Sequence, residues 1–206
     1  MTSRDKILTA IRKARLPAAD LPPLERDWIT YPDPLEQFGE VLRQIGGAMV
    51  RVADRAELAH RLEELPVYRD ARQALSLVEG AGRTTIDWHG IDDPHALETV
   101  DFAILPGQFG VAENGAVWVT DRGVRQRAIY FIVQHLALAI SSASILHNMH
   151  QAYERLELGG AEFGAFIAGP SKTADIEQSL VVGAHGPRSM TVFCVDSAEP
   201  TPRFGV

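Results

Sequence analysis

Only one cysteine, Cys194, occurs among the 206 residues, and this shortage excludes more chemistry than any other feature of the chain. A disulfide framework needs pairs, so none can form within the chain, and a lone thiol fits a reducing compartment. An iron-sulfur cluster is normally held by about four thiolates, so this chain is expected to bind no such cofactor, and any cluster working with it sits on a partner. No Gly-x-Gly-x-x-Gly turn and no Walker A lysine loop is present, which removes two common nucleotide signatures. Basic charge is in deficit, with 20 Lys and Arg against 27 Asp and Glu and a formal net charge of -7. Counterion release at a phosphate backbone needs clustered cations, so nucleic acid is an unsuitable partner, and an anionic membrane is disfavoured on the same ground. Long apolar runs are missing too. The longest, Ala128 to Ile140, is broken by Gln134 and His135 and is too short to span a bilayer. Charges at Arg4, Asp5, Lys6, Arg12, Lys13 and Arg15 leave no continuous apolar segment for a signal peptide. The expectation is a cytoplasmic chain with no transmembrane segment.

What is present is an ordinary globular composition, 46% hydrophobic, enough for one sizeable core. Ser3 can cap a helix in which Ile7, Leu8, Ile11 and Ala14 share a face. Five of the twelve prolines then fall between residues 16 and 34, fixing φ and removing donors, so this stretch reads as a linker or a wrapping loop. Asp33 as N-cap, Pro34 at the first helical position and Glu36 start a second helix, striped by Leu35, Phe38, Val41, Leu42 and Ile45 and closed by Gly46-Gly47. A strand from Ala48 to Ala53 follows, then a helix opened by Asp54 and Glu57 and ended near Pro66. Further strands are expected at 74–78, 101–105, 165–168 and 190–195. Phe109 to Ala112 and Ala116 to Thr120 should meet at a Glu113-Asn114-Gly115 turn. Ser142 or Ser144 can cap a helix carrying Ile145, Met149, Ala152, Tyr153 and Leu156. Alternating strands and helices predict a layered α/β domain over residues 35–195, preceded by an arm over 1–34 and followed by an irregular tail over 196–206.

The segment Gly169-Pro170-Ser171-Lys172-Thr173-Ala174-Asp175-Ile176-Glu177, followed by Gly183-Ala184-His185-Gly186-Pro187, closely resembles the signature of the LUD-domain family of lactate-utilisation proteins, of the protein C type. Ala112-Glu113-Asn114-Gly115-Ala116 is similar to that family's Ala-Glu-Thr-Gly-Thr turn, with Asn114 and Ala116 standing where Thr is usual. Arg127-Ala128 and His135 resemble a further segment, in which Val133 replaces a proline. The likeness spans roughly residues 100 to 195. It implies a three-layer fold of the NagB/RpiA/CoA-transferase class, with a central, largely parallel sheet flanked by helices. It also implies a subunit without a redox centre that works with iron-sulfur partner proteins in converting L-lactate to pyruvate.

The candidate chemistry gathers at the same motifs. Glu113, on a turn between strands, can be held exposed as a base or nucleophile, and Gly115 would let a ligand approach the backbone. Its Glu-Asn-Gly context resembles the glutamate turn of CoA transferases, which form an acyl intermediate on that carboxylate. The other reading of the triplet is a surface hairpin with a solvated Glu. Ser171, Lys172 and Thr173 precede an expected helix containing Asp175 and Glu177, whose free amides could bind a phosphate or carboxylate; ordinary capping by those acids is the competing reading. His185, with Gly186 and Arg188, could set an imidazole and a guanidinium beside Glu113 or Asp175 to hold a small carboxylate or phosphate. His135 reads as a satisfied core histidine. His147, His150 and Glu154 share a helical face that could hold a metal ion but more simply meets solvent. Cys194 reads as packing. Two functions follow: a non-redox subunit of a lactate-oxidising system, or a stand-alone enzyme or ligand sensor on the same fold using Glu113.

Overall fold

The computed structural model describes residues 2–14, 26–156, 161–174, 180–183 and 185–196. Helix α1 (Ser3–Lys13) begins with a capping box in which Thr2 and Asp5 satisfy each other's backbone N–H groups, so the cap is Thr2 and not Ser3. No residue of α1 is buried. Helix α2 (Pro34–Gln44) starts where the sequence placed it, with Asp33 Oδ1 accepting from the Leu35 and Glu36 N–H groups, each at 3.0 Å. Strand β1 (Ala48–Val52), helix α3 (Arg55–Glu64) capped by Asp54, and a short helix α4 (Pro66–Arg69) follow.

After these come β2 (Ala74–Ser76), β3 (Phe102–Pro106), β4 (Phe109–Val111), β5 (Ala116–Thr120), α5 (Ile129–Ile132) and β6 (His135–Ser141). The chain continues through β7 (Ile145–Leu146), α6 (Met149–Arg155), β8 (Gly164–Ile167), β9 (Lys172–Ala174), β10 (Leu180–Val182) and β11 (Ser189–Val195). Five of these strands form the central sheet in the order β1-β11-β6-β3-β2, every pair parallel. Parallel strands are covered on both faces, which is why β3 and most of β6 and β11 are continuously apolar and buried.

The period of two along each strand sorts the core into two slabs. Leu58 and Leu62 of α3 and Tyr68 of α4 pack on Phe102, Ile104, Ala137, Ala139 and Phe193 on one face. On the other face, Phe38 and Leu42 of α2 join Ala103, Leu105, Leu138, Ile140, Val192 and Cys194. A second sheet, β7-β4-β5-β8, adds Val117 and Val119 to that slab. Helices, sheet and a mixed outer layer make the α/β architecture that the alternation of elements implied.

One expected helix is corrected, and another falls on residues 175–179, outside the described residues. Ile145 and Leu146 lie on a strand, because their backbone pairs in parallel with Gly110 and Val111; the helix begins only at Met149, capped by Asn148 through the Gln151 N–H at 3.0 Å. Lys172–Ala174 is likewise a strand, antiparallel to Leu180–Val182. The Ser171 N–H donates to the Pro187 carbonyl at 2.8 Å and its carbonyl accepts from Gly183 N–H at 2.9 Å, so that amide is already engaged. Asp175 and Glu177 lie outside the described residues, as does the tail beyond Asp196. No helix among the described residues is long and apolar enough to cross a membrane.

Candidate functional site

The Glu113-Asn114-Gly115 turn forms between β4 and β5 as expected, but its chemistry is inward. Asn114 Oδ1 accepts from Ala116 N–H at 3.0 Å, closing an Asx turn. Gly115 has φ +68°, and a Cβ there would lie 3.0 Å from the Leu42 backbone nitrogen. Helix α2 therefore occupies the space that a ligand would need beside this glycine. Glu113 is exposed, its N–H donates to the His147 carbonyl at 3.1 Å, and its Oε2 accepts from Met149 N–H at 2.8 Å. The carboxylate thus satisfies an orphan donor at the start of α6.

The other motif segments converge at the amino end of the central sheet. Gly169 packs on the last turn of α2, where a Cβ would meet the Ile45 carbonyl at 3.0 Å, and Ile45 Cδ1 is 3.3 Å from the Cβ position of both Gly169 and Gly115. The turn after β4 and the segment leading to Ser171 therefore share one side chain of α2. Lys172 is exposed and reaches the same helix end, its Nζ 3.4 Å from a Cβ built on Gly46, where a cation is favoured by the helix dipole. Gly186 lies against Ser171, whose Cβ would be 3.0 Å from an added methyl. Thr173 sits on β9.

His185 is exposed and lines a cleft of about 460 Å3 with Phe131, Ile132, Gln134, Gly183 and Gly186. Neither Glu113 nor Arg188 lines this cleft. Arg188 belongs to a second cleft that also includes Gln134 and His135. His135 opens β6 half-buried, its Nδ1 2.7 Å from Ser189 Oγ, so it stands at the edge of the core instead of within it. Burial and the Arg188 guanidinium hold its pKa below the usual imidazole value, with Asp101 opposing them.

The histidines after β7 have a role that the sequence did not reveal. His147 Nδ1 accepts from Tyr31 N–H at 3.0 Å, the Asn148 amide donates to the Ile29 carbonyl at 2.8 Å, and the His150 ring stacks on Trp28 with centroids 3.3 Å apart. They hold residues 28–31, at the end of the proline-rich arm, against the segment before α6 and its first turn. Among the described residues no group of three His, Cys, Asp or Glu side chains is gathered as a metal site. Cys194 is buried in β11 with its thiol pushed up to about 12, mainly by burial. The exposed Phe131 and the Gln134 shared by both clefts were also missed; a large aromatic and an amide interrupting an apolar run were their only signals.

A parallel five-stranded sheet between helical layers, with glycine-rich turns gathered at its amino end, defines a particular class of α/β domain. The structure is similar to that of a DUF162 family protein from Deinococcus radiodurans, with a TM-score of 0.56 at 17% identity, covering 84% of this chain and 99% of that one. The LUD domain model matches residues 93–195, and the chain belongs to that family. Lactate utilization protein C of Geobacillus kaustophilus is 35% identical over 112 residues, covering 52% of this chain and 43% of that protein. The protein of the same name from Geobacillus thermodenitrificans is 34% identical over 112 residues, with the same coverage. The chain thus spans less than half the length of these curated relatives.

Proposed function

We propose that the chain is a cytoplasmic, non-redox subunit of a lactate-utilisation system that acts with iron-sulfur partner proteins in oxidising L-lactate to pyruvate. The observation that carries this reading is the likeness to lactate utilization protein C over the half of the chain that holds the converging motifs. Lactate oxidation releases two electrons, and this sequence supplies one sulfur ligand for any acceptor cluster. That ligand is buried with a thiol that resists deprotonation, whereas metal binding needs the thiolate. This favours a reading in which the electrons pass to clusters on partner proteins. The His185 cleft would take a small carboxylate or phosphate, with Gly186 in its lining and Ser171 packed against that glycine. A stand-alone enzyme or sensor built on Glu113 is less supported, since that carboxylate already serves the start of α6.

The test is copurification from cells grown on lactate. Tagged protein should bring down iron-sulfur proteins, and deletion should abolish growth on lactate. Intact lactate growth after deletion, together with no cluster-bearing protein in the pull-down, overturns the reading.

A further inference from the structure

The second cleft, of about 540 Å3, lies where the amino ends of β3, β6 and β11 come together, and its lining carries charges of both signs. Arg188 and His135 are among them. The Arg188 backbone N–H donates to the Gln134 carbonyl at 2.8 Å. Its side chain runs across Gly183, where φ is +77° and any Cβ would lie 2.3 Å from Arg188 Cγ, so the glycine keeps this course open. The guanidinium has no ion pair or hydrogen bond among the described residues. His135 is fixed by Ser189 at Nδ1 and by its own N–H to the Asp101 carbonyl at 2.9 Å.

The same cleft is also lined by Asp70, Glu98 and Asp101. Asp101 is partly committed, its Oδ2 accepting from the Arg72 and Gln73 N–H groups at 2.8 and 2.9 Å. The carboxylates of Asp70 and Glu98 have no partner among the described residues. A simple anion drawn to Arg188 would face three carboxylates, and a simple amine drawn to them would face a guanidinium. A ligand carrying a single charge of either sign therefore meets a like charge in the cleft.

We propose that this cleft binds a small zwitterion, its carboxylate or phosphate against Arg188 and His135 and its ammonium against Asp70 and Glu98. The volume suits a small molecule, which typically occupies roughly 300–1,000 Å3. Lactate has no ammonium group, so this site is additional to the lactate-utilisation reading, and copurification of partners can succeed or fail independently of it.

Histidine imidazole NMR of the full chain tests the proposal, with probes added at about 10 mM, a range that detects millimolar binding. The probes are γ-aminobutyrate and phosphoethanolamine as zwitterions, with butyrate, inorganic phosphate and butylamine as single-charge controls. At least one zwitterion should shift the His135 resonance, because its anionic group lies against the imidazole and Arg188. Which zwitterion binds decides between carboxylate and phosphate. The controls should bind at least about tenfold more weakly. Arg188→Gln should abolish the response. The double variant Asp70→Asn, Glu98→Gln should bring butyrate up to γ-aminobutyrate, which keeps the proposal open to refutation if Arg188→Gln does not fold. No response to either zwitterion, or an equal response to butyrate or phosphate in the unaltered protein, overturns it.

Discussion

His135 shows how one side chain couples burial to pH. Its pKa is depressed in the folded protein by burial and by Arg188, whereas in an unfolded chain an imidazole titrates near about 6.5. The unfolded state therefore binds more protons as the solution is acidified. The stability held by the neutral ring is fully present above about pH 6.5 and is lost as pH falls through the folded value. Urea denaturation at a series of pH values should show this loss, and His135→Gln should flatten that part of the profile. An unchanged slope in the variant would mean that another group carries it.

At the scale of elements, the turn after β4 and the start of α6 depend on each other. Glu113→Ala leaves the Met149 N–H without its acceptor and should cost about 1 kcal/mol, the usual size of a lost helix cap. Glu113→Gln keeps an oxygen at the same place and should retain most of that stability in thermal denaturation. The elements legible in sequence were those whose determinants are local. Asp33 with Pro34 announces α2, and Asn-Gly announces the turn before β5. The start at Met149 and the strand at Lys172 were not legible, because each is decided by a distant partner: Gly110 and Val111 pair with Ile145 and Leu146, and Pro187 takes the Ser171 amide. The site divided in the same way. Motif resemblance brought Ser171, His185 and Gly186 to one end of the sheet, but nothing local told that Gly115 would be filled by α2 or that His147 and His150 would grip Trp28 and Tyr31.

For the whole molecule, the arm has two parts with different attachments. Its inner end is held through Ile29 and Tyr31 to the segment before α6, while α1 contributes nothing buried. Removal of residues 2–14 should change unfolding free energy by less than about 0.5 kcal/mol, as for other surface changes. Replacing Trp28 by Ala should lower it more, since a stacked aromatic contact contributes about 0.5–1.5 kcal/mol beyond the area it covers. Parallel calorimetry of the two variants compares them directly.

Strand β1 joins the central sheet only through β11, which slots between it and β6. During synthesis, β1 has no hydrogen-bonding neighbour in that sheet among the described residues until Ser189–Val195 has emerged. The nascent polypeptide carries an unmatched edge through all the residues between the two strands, and this topology couples reaching the native state to the arrival of β11.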